Sequence, residues 1–424
     1  MTLRHLLSIC AVCLSLAFPV WASPAWAGDA LPSTDSSHKI LMLLRASPQH
    51  YNPGASYGDG YGSSAERSAN RRLAMARADA HGLTLVDDWP IPILGLDCYE
   101  LVVPNGQSVE DAAAQLSRDP GVEWAEPLHI YKTQSAPPRV GRPVSYNDPL
   151  FPTQPTSSTW HLRDLHALAT GQHVRVAVID SMVQIDHPDL AGQVILSRNF
   201  VANQPTTPEL HGTGVAGIIA ASGNNGLGIV GVAPKARVMA LRACWQQSAA
   251  ADASPAAVCD SLTLAEALDF AITNGAQIIN LSLSGPRDPL LAKLLDIAIA
   301  RGITVVGAVD HTLADGGFPA SHTGVIAVDD VPTAMPKSDV FSAPGIDMPT
   351  TQPGSRWYLV SGSSFAAADV SGLFALMRER NPHARTAAFL VTTGRGGAID
   401  ACATLMKAAA PCNCACPPTP AASH

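Results

Sequence analysis

The chain has 424 residues, of which 47% are hydrophobic and 15% charged, with a formal net charge of −8 at pH 7. That length and composition allow more than one domain and a sizeable core. The charges are spread without long runs and no basic cluster appears, which argues against a nucleic-acid partner.

The first residues, "MTLRHLLSICAVCLSLAFPVWASPAWAGD", set Arg4 and His5 ahead of an apolar run from Leu6 to Phe18, followed by small residues around Ala25, Trp26 and Ala27. This is the layout of an export signal, so residues 1–27 are expected to be removed, after Ala27 or alternatively Ala22. The mature protein is then expected to be extracellular or periplasmic. A membrane anchor is the competing reading, but the run is shorter than the roughly 20 residues needed to cross a bilayer. No later segment is long and apolar enough either, so the mature form is expected to have no membrane span.

Residues 38–126 carry the elements of a small α+β unit whose expected bounds are 28–134. "HKILMLLRA", "LTLVDD", "CYELVVP" and "GVEWAEP" have strand character. "SAERSANRRLAMARADAHG" and "SVEDAAAQLSRD" have helical character, the second with a Ser-x-x-Asp start. The alternation predicts a sheet covered on one face, with "QHYNPGASYGDGYGSS" inserted as a loop. Residues 135–146, within "SAPPRVGRPVSYN", are proline-rich without period and read as an extended linker.

From residue 147 apolar runs alternate with helical ones. "VRVAVID", "RVMALRA", "QIINLSL" and "ITVVGAV" read as buried strands, separated by "GTGVAGIIAA", "LTLAEALDFAITNG" and "PLLAKLLDIAIARG". The fold class is therefore α/β, with a parallel sheet covered on both faces over residues 147–405. Residues 406–424 form a Cys/Pro-rich tail. Of nine cysteines, Cys10 and Cys13 lie in the signal, Cys98 stands alone, and Cys244 and Cys259 bracket an Ala-rich loop where they can pair. Cys402, Cys412, Cys414 and Cys416 crowd the C-terminus in spacings tighter than a zinc site uses, which reads as disulfides or thiols of unassigned connectivity.

In parallel α/β sheets, sites gather at the carboxyl ends of strands. Asp180 ends the strand "VRVAVID", where a lone carboxylate reads as a cap or turn residue. His211 stands ahead of "GTGVAG", where a lone histidine reads as a cap. Gly212, Gly214 and Gly217 allow close backbone approach there. In "SGSSFAAADVSG" a serine pair after glycine reads, alone, as a turn.

Together these segments resemble the subtilase family of serine peptidases, whose catalytic residues come in the order Asp, His, Ser. "VAVIDS…HPDL", "HGTGVAG", "NNGLGIVGVAP", "IINLSLSGP", "FPAS", "VIAV", "FSAPG" and "SGSSFAA" follow in family order over most of residues 147–402. The resemblance implies a three-layer, subtilisin-like parallel-sheet catalytic domain and a secreted serine endopeptidase acting on polypeptides. Ser364 takes the nucleophile position of the family's Gly-Thr-Ser-Met-Ala. A serine hydroxyl is a poor nucleophile at neutral pH, so it needs His211 as base and Asp180 to hold the imidazole. The small N-terminal unit resembles the family's pro-domain, an intramolecular inhibitor and folding assistant, with cleavage expected between Tyr131 and Tyr146.

The sequence departs from the family at Met182, Gly214, Ala368, Asp369 and Ser284. It also departs where the oxyanion-stabilising Asn is expected, in the pair Asp310-His311. By position His311 takes the Asn place, and a one-residue slip puts Asp310 there. Ser282, Leu283 and Ser284 are implied to form the cleft edge that pairs with an extended peptide, with apolar or unselective side-chain preference. Catalysis is expected to need no cofactor. The resemblance implies a structural calcium at Asn225 and Asp189, against a competing reading of a capped helix end with solvated asparagines. Two other functions stay open: a catalytically silent subtilase fold serving as a peptide-binding or assembly module, and a surface protein anchored through its cysteine tail.

Overall fold

The computed structural model describes residues 38–46, 64–133, 147–247, 257–332, 340–393 and 397–408. The expected export signal, the linker, most of the Gly- and Tyr-rich insertion and the tail beyond Ala408 lie outside the described residues.

The N-terminal unit is an antiparallel sheet of β1 (Lys39–Arg45), β2 (Thr84–Ile91), β3 (Leu96–Val102) and β4 (Val122–Pro127) in the order β2-β3-β1-β4. Two helices accompany it, α1 (Ser64–Ala80) and α2 (Val109–Leu116). The Ser-x-x-Asp start caps α2 as expected, with the Asp111 N–H donating to Ser108 Oγ at 3.2 Å. Side chains alternate along β1: Ile40, Met42 and Leu44 pack with Ala74 and Leu116 of the helices. Leu41 and Leu43 on the other face join a core shared with the following domain. The sheet is thus buried on both faces, not one, which is why "ILMLL" is apolar without alternation.

After β4 the chain leaves this sheet. β5 (Ile130–Thr133), which sequence periodicity did not single out, pairs with elements of the second domain instead.

That domain opens with short helices α3 (Pro155–Thr159) and α4 (Leu162–Leu168), then β6 (Arg175–Asp180), β7 (Val194–Asn199), α5 (Leu210–Ala220), β8 (Arg237–Arg242), β9 (Cys244–Gln246) and β10 (Ala257–Asp260). There follow α6 (Ser261–Thr273), β11 (Ile278–Leu281), β12 (Leu283–Ser284), α7 (Pro289–Ala300), β13 (Thr304–Ala308), β14 (Ile326–Asp329) and β15 (Val340–Ser342). The last elements are β16 (Met348–Gln352), β17 (Arg356–Val360), α8 (Ser363–Arg380), β18 (Thr392–Thr393), β19 (Ala398–Ile399) and α9 (Ala401–Ala408). The main sheet has nine strands in the order β18-β19-β15-β14-β13-β11-β6-β8-β7, parallel except for the β18/β19 pair. Helices α5 and α8 pack on one face, α6 and α7 on the other.

The expected α/β layering is therefore present. Leu405 and Ala408 of α9 belong to the same core as α8, so the packed domain runs past residue 405. Cys244 and Cys259 pair as a disulfide across β9 and β10, and Cys402 is also disulfide-bonded.

Candidate active site

Three chain segments meet at the carboxyl edge of the sheet. Asp180 is the last residue of β6, His211 the second of α5 and Ser364 the second of α8, and all three are buried. Both Asp180 oxygens face His211 Nδ1, at 2.8 and 2.9 Å. Asp180 Oδ1 also accepts the Ser181 N–H at 2.6 Å, which fixes the carboxylate. Close approach of α5 to this loop requires Gly212, because a Cβ there would run into the Ser181 carbonyl. The His211 ring lies 5.4 Å from the ring of Phe365, the neighbour of Ser364. His211 Nε2 is buried without a hydrogen-bond partner. The Ser364 hydroxyl donates instead to the Ser282 carbonyl at 2.9 Å. The triad residues expected from sequence are thus gathered, with the base–nucleophile hydrogen bond unmade, as is common before a substrate binds.

Buried polar groups hold Ser364 in place. Ser371 Oγ donates to Asn280 Oδ1 at 2.8 Å, Asn280 Nδ2 donates to Ser282 Oγ at 2.9 Å, and Ser282 Oγ donates to the Ser364 carbonyl at 2.7 Å. Sequence reasoning passed over Asn280 and Ser371. The signal was an amide in the otherwise apolar strand "QIINLSL", where a buried Asn needs partners. Glu209, also passed over, precedes α5 without capping it through its side chain; its carboxylate accepts the Met182 N–H at 2.6 Å and pairs with the buried Arg242 guanidinium at 2.9 Å.

The oxyanion candidates are turned to other partners. His311 Nε2 lies 2.9 Å from Asp330 and 3.3 Å from Asp329, and its side chain is half exposed. Asp310 Oδ1 accepts from the Thr312 N–H at 2.8 Å and from its hydroxyl at 2.6 Å. The first turn of α8 offers further backbone donors, of which the Gly362 N–H bonds the Gly345 carbonyl at 2.7 Å and the Phe365 N–H the Gly362 carbonyl at 3.0 Å. Ser363 Oγ anchors that turn to the Val309 carbonyl at 2.7 Å.

Of the expected cleft edge, Leu283 and Ser284 are already paired by the chain itself. In the sheet order β12-β5-β10-β9, Thr133 lies opposite Leu283 and Lys132 opposite Ser284, while Lys132, Tyr131 and Ile130 lie opposite Val258, Cys259 and Asp260. The Tyr131 side chain is fully buried among Leu264, Leu281, Leu283, Leu295 and Phe318. Behind it the N-terminal unit meets the start of α7. Asp288 caps α7 through the Leu291 N–H at 2.9 Å, accepts Ser261 Oγ at 2.5 Å, and lies 3.1 Å from His129 Nδ1. Burial, and then the nearby Asp288 carboxylate, push Glu126 of β4 from 4.5 up to about 8.

The Asp189 and Asn225 pair does not fit a cation. Asp189 accepts from Asn225 Nδ2 at 2.8 Å, from the Ile229 N–H at 3.0 Å and from the Trp357 indole N–H at 2.8 Å. Asn225 Oδ1 accepts the Leu227 N–H at 2.9 Å. Hydrogen-bond donors thus occupy the oxygens a hard cation would use. Among the described residues, one other group has ligand spacing: His311, Asp329 and Asp330, with ligand atoms within 4.8 Å of one another. There the imidazole already bonds Asp330 and lies 3.3 Å from Asp329.

Residues 171–409 match the sequence profile of the Subtilase family. The chain is 34% identical over 283 residues to the thermophilic serine proteinase of Bacillus sp. (strain AK1), covering 64% of this chain and 66% of that protein. Subtilisin E of Bacillus subtilis (strain 168) is 31% identical over 293 residues, covering 64% and 69%. In fold the chain is similar to fervidolysin from Fervidobacterium pennivorans, a keratinolytic enzyme related to subtilisin, with a TM-score of 0.63 at 21% identity, over 87% of this chain and 61% of that one. The chain thus spans about two thirds of the length of these relatives.

Proposed function

Since the chain belongs to the subtilase family of serine peptidases, we propose that it is an exported serine endopeptidase that hydrolyses peptide bonds through Asp180, His211 and Ser364. The observation that carries this is the grip of both Asp180 oxygens on His211 Nδ1, which leaves Nε2 buried and unpaired beside the residue that follows Ser364. Asp180 fixes the tautomer in which Nε2 can accept a proton.

The Ser364 hydroxyl rotates from the Ser282 carbonyl to His211 Nε2 and yields its proton. Its oxygen bonds to the scissile carbonyl carbon, whose π electrons move onto oxygen and face the N–H groups at the start of α8. On collapse the C–N bond breaks, His211 passes its proton to the leaving amine, and an ester remains on Ser364. Water then attacks with His211 again as base, which releases the acid and restores the hydroxyl. The N-terminal unit acts as an intramolecular inhibitor, since β5 takes the place of an extended substrate between β12 and β10. The expected export signal puts this activity outside the cytoplasm, and no helix among the described residues is long and apolar enough to cross a membrane.

A second reading, a silent peptide-binding module, is favoured by one observation: His311 Nε2 is held by Asp329 and Asp330. The test is labelling by a fluorophosphonate together with casein hydrolysis. The wild type should label at Ser364 and cleave, and Ser364→Ala should do neither. A processed wild type that neither labels nor cleaves leaves the binding module in its place.

A further inference from the structure

We propose that the Cys/Pro-rich segment beyond Ala408 folds back along α9 and fills the groove between α4, the end of β15 and α9. A disulfide from Cys402 to a tail cysteine ties it there.

The first observation is that α9 is apolar on its outer side as well as its inner one. Ala401, Thr404, Leu405 and Ala408 are buried, and Leu405 and Ala408 belong to the core shared with α8. Cys402, Ala403 and Met406 stand half-buried on another side of the helix, and Lys407 alone is exposed. A helix that closes a domain against water carries polar residues on its outer stripe. Here that stripe borders a groove of about 650 Å³, whose other walls include Trp160, Leu165, Ile346 and Ile399. Ile346 is left 49% exposed, so the groove offers a large apolar side chain to whatever covers it.

The second observation names the occupant. Cys402 lines the groove and is disulfide-bonded. Among the described cysteines, Cys244 and Cys259 pair with each other, and Cys98 is free and buried. The partner of Cys402 is therefore outside the described residues. Removal of the expected export signal takes Cys10 and Cys13 with it, which leaves Cys412, Cys414 and Cys416. The reach suffices: α9 rises about 9 Å from Cys402 to Ala408, and the four residues from there to Cys412 span up to about 13 Å when extended. Closing the bond takes two protons and two electrons from the Cys402 thiol and one tail thiol. A disulfide oxidant of the expected oxidising compartment accepts them and leaves as a dithiol.

Charge agrees with this occupant. Asp164, Asp330 and Asp400 also line the groove, which disfavours an acidic partner. The chain has no Asp or Glu after Asp400, and residues 411–418, "PCNCACPP", are uncharged, mostly small and stiffened by proline, so they lose little freedom on docking. The groove also reaches toward the candidate active site. Gly345 in its wall accepts the Gly362 N–H at 2.7 Å, directly before Ser363 and Ser364, and Asp330 holds His311.

The test uses the exported, unreduced full chain carrying Ser364→Ala, so that self-digestion plays no part and the outcome is independent of the peptidase reading. Trypsin cuts after Lys407, between Cys402 and the tail. Mass spectrometry should find the two flanking peptides joined in the unreduced digest and separate after reduction. Amide exchange over residues 412–416 should be slow, and several-fold faster when Ile346→Asp places a charge in the groove and leaves the disulfide intact. A chain ended at Ala408 should bind a hydrophobic dye several-fold more strongly than the full chain. The proposal is overturned if Cys402 carries a free thiol or joins a second copy as a dimer on an unreduced gel. It is equally overturned if residues 412–416 exchange at the rate of an unstructured peptide, or if the shortened chain folds and binds no more dye. Should the shortened chain fail to fold, the peptide map and the exchange rates decide alone.

Discussion

The Ser364 hydroxyl is bonded to the Ser282 carbonyl at 2.9 Å, so a rotation about its Cα–Cβ bond separates this state from a reactive one. His211 is already held by Asp180, and its Nε2 is bare. In such a site the orienting carboxylate acts through the imidazole, and replacing it costs turnover more than binding.

Asp180→Asn should therefore lower kcat by roughly 10⁴-fold with little change in KM, because the amide favours the wrong imidazole tautomer. Steady-state kinetics on a peptide substrate measure this, with a melting curve as control for folding. A loss below about 10-fold would remove Asp180 from the mechanism.

At His311 the contacts with Asp329 and Asp330 compete with service to the oxyanion. If the imidazole turns to the substrate during turnover, His311→Ala should lower kcat by about 10²-fold with KM little changed, and His311→Asn should match or exceed the wild type. Equal turnover in all three proteins would show that the backbone donors of α8 act without it.

Glu126 makes the seat of the N-terminal unit sensitive to pH. Its pKa in the folded chain is about 8 against an ordinary 4.5, so the folded state binds the extra proton. The contribution is fully present below about 4.5, falls as pH rises through the interval, and is lost above about 8. The uncleaved Ser364→Ala chain should melt at progressively lower temperature from pH 5 to pH 9 (roughly the span set by that shift). Glu126→Gln should flatten the decline, and an identical slope in both proteins would sink the assignment.

Trp357 stands in for a cation at Asp189. Trp357→Phe removes one of the N–H donors to a fully buried carboxylate and should destabilise the chain by about 1–3 kcal/mol. A chelator should leave the melting temperature of the wild type unchanged. A clear drop on chelation would restore a metal to this loop.

The layering was legible because buried parallel strands such as "VRVAVID" and "ITVVGAV" are continuous apolar runs between helices. Asp180, His211 and Ser364 could be singled out because their segments follow one another in the order of the subtilase family, and the fold brings those segments together at one sheet edge. What could not be read was partnership across long separations. β5 is four residues long and gains its structure only from β10 and β12, more than a hundred residues away. The turning of His311 depends on two aspartates that end a different strand, and the Trp357 contact to Asp189 joins residues 168 positions apart. The apolar run of β1 concealed a second buried face, because one strand cannot announce what covers it.

The placement of β5 between β10 and β12 also fixes how the site can be freed. Under the proposed function, β5 in the unbroken chain competes with any substrate as a tethered ligand, at an effective concentration on the order of millimolar whatever the dilution. One cut beyond Thr133 turns that competition into an encounter between separate molecules. From then on dilution alone favours departure, and each freed molecule can cut the tether of others. The onset of activity should therefore be abrupt in time and depend on how crowded the molecules are.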